Sequence, residues 1–178
     1  MDLGQHYLET ARFEFERMKG LAERAMAQIP NDAGFHFELD VPSNSIAVLI
    51  QHLSGNMRSR WRDFLTADGE KPDRHRDTEF EAHRELTRAE LMKIWERGWV
   101  VLFESLGVLS PPDLQKTVTI RGEVHTVPEA IQRQLIHGAY HIGQIVLLAR
   151  HVSAATGWKG LSIAKGESDN AQGTYKAL

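Results

Sequence analysis

The sequence contains no cysteine among its 178 residues. This absence excludes disulfides, thiolate metal sites and a cysteine nucleophile, and it leaves the cellular compartment open by this criterion. Basic residues are not in excess either, since 21 Lys and Arg face 24 Asp and Glu and give a net charge of −3 with neutral histidine. Such a chain offers no positive field for a phosphate backbone, so we expect no nucleic-acid partner.

A long uninterrupted apolar run is also missing. The most apolar stretch, residues 131–149, is interrupted by polar residues and therefore predicts no membrane span. They include Arg133, Gln134, His137, His141 and Gln144. Residues 1–6 contain no basic region leading into an apolar segment, so we expect no signal peptide. A chain of this length suits one core better than two, and we expect a single cytoplasmic domain over residues 1–178.

Four segments place apolar residues three and four positions apart, which is typical of amphipathic helices. Thr87 to Glu90 matches a capping box at the start of the third helix. Pro128 suits the first turn of the fourth, and Gly157 suits a C-cap just beyond it. The predicted helices cover about 7–29, 44–65, 87–107 and 128–155.

Between the third and fourth helices, β-branched residues on both sides of Gly122 predict a small hairpin over 117–127. Residues 35–42 are predicted to form an ordered loop and residues 66–77 a charged one, and the tail from 158 to 178 is predicted to be mostly coil. Four long amphipathic helices with one hairpin insertion predict an all-α fold, a four-helix bundle.

His137 and His141 stand four residues apart in the fourth helix, so they share a face with about 6 Å between them along the axis. A third imidazole must come from another helix, and His52 is the best choice because it lies mid-helix among apolar neighbours. Three imidazoles with a fourth position open form a common catalytic metal site. The alternative is that all three are partly buried histidines hydrogen-bonded to their neighbours.

Other polar residues receive simpler interpretations. His83 lies among charged residues and is predicted to face solvent. His137 is followed by Gly138 where an HExxH protease requires glutamate as its general base, which argues against that class of protease. Asn56, one turn beyond His52, is predicted to line a pocket or to be a polar surface residue, and Gln144 is the second predicted pocket residue.

Two groups of large side chains are predicted from their spacing alone. The tryptophans fall at core spacings and are expected to pack the interior, while the three arginines of the second helix are expected to form a solvated face. These residues are Trp61, Trp95 and Trp99, and Arg58, Arg60 and Arg62.

A histidine within residues 50–56, followed by the sequence from His137 to Gln144, resembles the DinB/YfiT-like superfamily. The phrases at 56–61, 68–72 and 120–123 are similar to an uncharacterised bacterial branch of it. The resemblance extends from the first helix to residue 166. It implies an up-down-down-up four-helix bundle, commonly a homodimer. It also implies a divalent metal held by three histidines, which map onto His52, His137 and His141.

The same resemblance leads to three functional hypotheses. The first is a metal-dependent transferase that activates a low-molecular-weight thiol such as bacillithiol, mycothiol or glutathione for transfer to a small-molecule electrophile. The second is a hydrolase that uses a metal-bound hydroxide. The third is a non-catalytic metal-binding protein of stress response. Zinc is the expected metal, with nickel, iron, manganese and copper as alternatives.

Overall fold

A computed structural model of the chain describes residues 2–40, 43–163 and 166–171. It contains four long helices and one two-stranded antiparallel sheet between the third and fourth. The predicted all-α bundle with a small hairpin is therefore confirmed. The helices are α1 (Leu3–Met26), α2 (Ile46–Trp61), α3 (Arg88–Gly107) and α4 (Val127–Val152), and the strands are β1 (Thr117–Ile120) and β2 (Glu123–Thr126).

Each long helix begins where a side-chain oxygen can accept a hydrogen bond from a free backbone N–H of the first turn. The predicted capping box of Thr87 and Glu90 is present at the start of α3. An equivalent box starts α4, with proline in the first turn. The four capping residues are Asp2, Ser45, Thr87 and Thr126.

α1, α2 and α4 end earlier than their apolar spacing predicts, whereas α3 ends at Gly107 as predicted. α2 stops at Trp61 because Arg62 is extended and Asp63 has a left-handed backbone with φ of 52°. α4 stops at Val152, and Gly157, with φ of 90°, ends a short 3-10 helix at Ala154–Thr156 instead of α4 itself. Apolar periodicity continues past both ends, so it does not mark where the backbone leaves the helix.

The direction of the helices follows from the hydrogen bonds between them. Tyr7 Oη donates to the carbonyl of Pro128 over 3.2 Å, and beyond the opposite ends Ser153 Oγ donates to the carbonyl of Gln28 over 3.0 Å. The start of α1 therefore lies near the start of α4, and the end of α1 lies near the end of α4. These two helices are therefore parallel.

The same reasoning orders the other pair. Ser54 Oγ donates to the carbonyl of Ile94, and Ser105 Oγ donates to the carbonyl of Trp61, so α2 and α3 are parallel. Trp61 Nε1, at the end of α2, donates to Gln134 near the start of α4, so α2 runs opposite to α4. The bundle is up-down-down-up, as the resemblance implies.

The core lies between the four helices and is rich in aromatic side chains. The three tryptophans predicted to pack the interior are buried: Trp61, Trp95 and Trp99. Phe15 of α1 packs edge-on against Trp61 and Trp99, with ring centroids 6.3 and 6.4 Å apart. Such edge-to-face pairs add to the free energy gained from burial. α1, α2 and α3 thus meet at one aromatic cluster.

The connections outside the helices are short pieces of ordered backbone. The first two residues of the predicted loop at 35–42 belong to a 3-10 helix at Asp32–His36, and its last two residues lie outside the described part of the chain. Within the predicted coil tail, Trp158 packs against the core and Lys159 N donates to Gln28 over 2.7 Å. A further 3-10 turn occurs at Ser168–Asn170. Over the described residues, no helix has the length and apolar character needed to cross a membrane.

Gly98 sets how closely α2 and α3 approach. A Cβ at this position would lie 2.7 Å from the backbone Cα of Ser54, a contact that only a shift of the helices can relieve. We expect Gly98→Ala to lower the free energy of unfolding by about 1–3 kcal/mol. Gly143→Ala is the matched control because its Cβ would meet nothing within 4 Å. That control should raise stability by up to about 1 kcal/mol through helix propensity. Urea denaturation of both variants checks this, and equal effects at the two sites would contradict it.

Candidate metal centre

The structure brings together the three histidines predicted as metal ligands. One nitrogen from each of His52, His137 and His141 lies within 4.8 Å of the others. His52 Nε2 and His137 Nε2 are 3.1 Å apart. His52 and His141 are buried, and His137 is partly buried. By contrast, the side chain of His83 is 41% exposed, as predicted.

The remaining nitrogens of two rings are held by hydrogen bonds. His52 Nδ1 donates to Glu79 Oε2, and His141 Nδ1 donates to Gln144 Oε1, both over 2.9 Å. Burial raises the pKa of the Glu79 carboxyl, but hydrogen bonds from Arg74 and His52 outweigh it and hold that pKa below its usual value. An ionised carboxylate only accepts, so His52 carries its proton on Nδ1. Its Nε2 lone pair faces the other rings.

Two of the three rings, His137 and His141, favour the neutral form. Burial lowers the pKa of His137 to about 3, with the neighbouring His141 and His52 adding to the effect. Burial also lowers the pKa of His141, which the hydrogen bond to Gln144 opposes only in part. Neutral rings keep the lone pairs that a metal ion requires.

The geometry fits a divalent cation. Two imidazole nitrogens on one tetrahedral zinc, each about 2.0–2.1 Å from the ion, would lie about 3.3 Å apart, close to the 3.1 Å between His52 and His137. His137 Nδ1 is buried and has no hydrogen-bond partner in the described chain. Without a cation, His52 Nε2 and His137 Nε2 lie at hydrogen-bonding distance, so the alternative of hydrogen-bonded core histidines accounts for that contact but leaves His137 Nδ1 without a partner. These three histidines could form a metal site here.

Sequence reasoning missed Glu79, the residue that orients His52. Arg74 Nε and Nη2 donate to the two Glu79 oxygens over 2.8 and 2.9 Å, so the carboxylate is fixed on both sides. A Cβ on Gly55 would lie 2.2 Å from Glu79 Oε1. The glycine three residues after His52 was the one signal available, because it leaves space for a side chain from elsewhere. Carboxylates that hold ligating histidines in this way raise metal affinity.

A cavity of about 1040 Å³ opens beside the three histidines. Asn56, predicted to line a pocket, is buried and lines this one. Gln144, the second predicted pocket residue, contacts His141 through the hydrogen bond to Nδ1. The cavity has an aromatic wall formed by Tyr7, Trp61, Phe64, Phe80 and Tyr140.

One arginine lies where the sequence prediction did not place it. Arg58 and Arg62 are exposed as predicted, but the Arg60 side chain is only 10% exposed and lines the cavity. The prediction of a shared solvated face was wrong because a step of two residues rotates a side chain by about 200° around the helix axis. Arg60 therefore lies on nearly the opposite side of α2 from Arg58. Arg60 Nη1 donates to Glu70 Oε2 over 2.9 Å and to the carbonyl of Gly69.

The segments at 68–72 and 120–123, which the resemblance singled out, are joined by hydrogen bonds. The Asp68 carboxylate accepts the backbone N–H groups of Arg121 and Gly122, each over 2.9 Å. Both of these residues have positive φ, 56° and 76°, and form the turn of the hairpin. Glu70 then pairs with Arg121 Nε over 2.8 Å. The loop and the hairpin turn together hold Arg60 and Arg121 in the cavity wall.

Comparison with protein families matches residues 2–167 to the family described as "Protein of unknown function (DUF1572)". The chain belongs to the DUF1572 family. The matched residues include all four helices, the three histidines and the loop that carries Glu79. No match was found among curated proteins or among solved structures. The broader likeness to the DinB/YfiT-like superfamily stays a prediction.

The lowered pKa of His137 makes the stability of the metal-free DUF1572 protein depend on pH. Between pH about 3 and 6.5 the unfolded chain binds a proton at His137 that the folded chain does not. Stability should therefore fall as the pH falls through this window, by at most about 1.4 kcal/mol per pH unit for this residue. The free energy of unfolding of chelator-treated protein, measured by urea denaturation at several pH values, should depend less steeply on pH in His137→Gln than in the wild type. The exposed His6→Gln is the control, and equal slopes in all three proteins would contradict the prediction.

Proposed function

We propose that this DUF1572 protein is a DinB/YfiT-like metal-dependent transferase. In this proposal His52, His137 and His141 hold a divalent cation, and a low-molecular-weight thiol reacts there with an electrophile. The supporting observation is the convergence of three imidazoles on one point at the edge of a cavity of about 1040 Å³. Sites that bind small molecules commonly combine an enclosed, largely apolar cavity with a few polar groups.

The bound cation would lower the pKa of a coordinated thiol, so that thiolate forms near neutral pH. The residues of the chain supply position and environment. Glu79 keeps the His52 proton on Nδ1, and Gln144 does the same for His141. The aromatic wall limits the access of water to the reacting groups. Because the chain has no cysteine, the thiol would be a co-substrate rather than a side chain.

The proposal is tested with zinc-loaded protein, a chromogenic aryl halide and each of glutathione, bacillithiol and mycothiol. We expect thiol transfer with at least one of them, and its loss by 100-fold or more in His137→Ala if chemistry depends on the cation (~3 kcal/mol of transition-state stabilisation). The exposed His6→Ala should retain the rate. Equal rates in the wild type and His137→Ala would contradict the proposal.

Hydrolysis by a metal-bound hydroxide receives less support. Such hydrolases usually have a carboxylate free to act as general base. Glu129 is the one acidic residue among the described residues that line the cavity. Its carboxylate accepts hydrogen bonds from Thr126 at the start of α4. Glu79 is already committed to Arg74 and His52. Turnover of an ester without added thiol would favour hydrolysis, and neither activity in metal-loaded protein would favour the non-catalytic alternative.

We propose zinc as the physiological metal, with nickel, iron, manganese and copper as alternatives. The homodimer and the cytoplasmic location also stay predictions. An exposed apolar row on α4 supports self-association, since these side chains are 70%, 63% and 59% exposed in the single chain: Ile136, Tyr140 and Leu147. Light scattering after size-exclusion chromatography gives the mass in solution directly.

A further inference from the structure

The cavity beside the three histidines is far more basic than the rest of the chain. Five arginines and one glutamate line it, whereas the whole chain has a net charge of −3. Arginine presents a planar fork of N–H donors that matches carboxylate and phosphate groups. The arginines are Arg60, Arg74, Arg76, Arg121 and Arg133.

Two carboxylates behind the wall pair with three of these arginines. Glu70 accepts from Arg60 Nη1 over 2.9 Å and from Arg121 Nε over 2.8 Å. Glu79 accepts two hydrogen bonds from Arg74. Three guanidinium groups therefore face two carboxylates, and positive charge remains on this side of the cavity.

The other two arginines are available to a ligand. Arg133 is exposed and has no hydrogen bond or ion pair with the residues that the structure describes. Arg76 Nη1 lies 3.6 Å from Asp77 Oδ1, and the Asp77 side chain is fully exposed, so this pair contributes little. The Arg76 guanidinium also lies over the Phe80 ring, 4.9 Å from its centroid. This contact holds the charge at the cavity wall.

The cavity that the arginines and the histidines line is larger than a simple inorganic anion would fill. The aromatic wall, which includes Trp61 and Phe64, offers apolar surface to the body of a ligand. A cavity of about 1040 Å³ is slightly larger than the cavities that hold drug-sized molecules, roughly 300–1,000 Å³. A molecule that uses both features has a charged head and an apolar body.

We propose that the substrate of this site is an amphiphilic oxyanion, with a carboxylate or phosphate group bound by Arg76 and Arg133 and an apolar or aromatic body on the aromatic wall. The proposal names the substrate class of the site, and so it rests on the function proposed above. It predicts selectivity for charge that the histidines alone do not provide.

The test is calorimetric titration of zinc-loaded protein with 4-phenylbutyrate, phenethyl phosphate and the neutral 4-phenylbutyramide. We expect at least one anion to bind about tenfold or more tightly than the amide, because a charge-assisted hydrogen bond is worth about that factor. The Arg76→Gln/Arg133→Gln double variant should lose that preference. Arg97→Gln, which changes an exposed arginine of α3 outside the cavity, should keep it.

Equal binding of the anions and the amide would overturn the proposal. So would an unchanged preference in the double variant, since the cation alone would then account for it. Metal content is measured on the same samples. If the protein holds no metal, the proposed function fails. The preference for anions can still be measured by titrating that metal-free protein. The two proposals can therefore fail separately. Tighter binding of the phosphate or of the carboxylate supports the proposal either way and identifies the head group.

Discussion

Zinc at about 100 times its dissociation constant is expected to raise the free energy of unfolding of the wild-type protein by about 2.7 kcal/mol. The increase arises because the cation binds three imidazoles that converge only in the folded chain, one from α2 and two from α4. His141→Ala removes one of the three ligands, so the same addition of zinc should leave its stability nearly unchanged. The measurement is urea denaturation of chelator-treated protein with and without added zinc.

Two variants separate this effect from weak binding of zinc elsewhere. His6→Ala removes an exposed histidine of α1 and should keep the full increase. His52→Ala removes the ligand from the other helix and should lose it. If zinc stabilised the wild type and His141→Ala equally, the three histidines would not be its site.

Glu79→Ala is expected to have the second large effect. The side chains of Glu79 and Arg74 are only 9% and 4% exposed, so truncating the acid leaves a buried guanidinium with only the longer contact to Glu70, 3.8 Å away. Losing one member of a buried pair costs roughly 3–5 kcal/mol of stability. The same change frees His52 Nδ1 from its hydrogen bond. Loss of such a contact to a ligating histidine should weaken metal binding by about 10–100-fold.

The controls for this prediction come from the 3-10 helix Arg76–Phe80, which contains Glu79. Asp77→Ala removes a fully exposed carboxylate two residues away and should change neither stability nor affinity measurably. Glu79→Gln keeps a hydrogen-bond acceptor for His52 and should weaken zinc binding less than alanine does. Equal zinc affinity in the wild type and Glu79→Ala, measured by competition with a chromophoric chelator, would contradict the role of Glu79.

Much of the fold could be predicted from local pattern. Apolar spacing of three and four residues located the four helices, and the sequence from Thr87 to Glu90 marked the start of α3 correctly. The spacing of His137 and His141 placed both on one face, and the mid-helix position of His52 indicated the third ring. These features depend on periodicity within one element, which sequence records directly.

What could not be predicted depends on contacts between elements. Glu79 lies in the 3-10 helix Arg76–Phe80, which is too short for apolar periodicity to give its direction, and it reaches His52 only because Gly55 leaves space for it. Arg60 was predicted to be solvated together with Arg58 and Arg62, but its own direction on α2 turns it into the cavity. The pairing of Asp68 with the turn at Gly122 joins segments far apart in the chain, which spacing alone does not reveal.

The most direct test of the central claim is the metal content of untagged protein, measured by plasma mass spectrometry beside His52→Ala and His137→Ala. The proposed centre predicts about one divalent metal per wild-type chain and its loss from both variants, with all three proteins folded by circular dichroism. A wild-type protein that folds without metal, and takes up none when zinc is supplied, would contradict the metal centre and make His52, His137 and His141 ordinary histidines of the bundle interior.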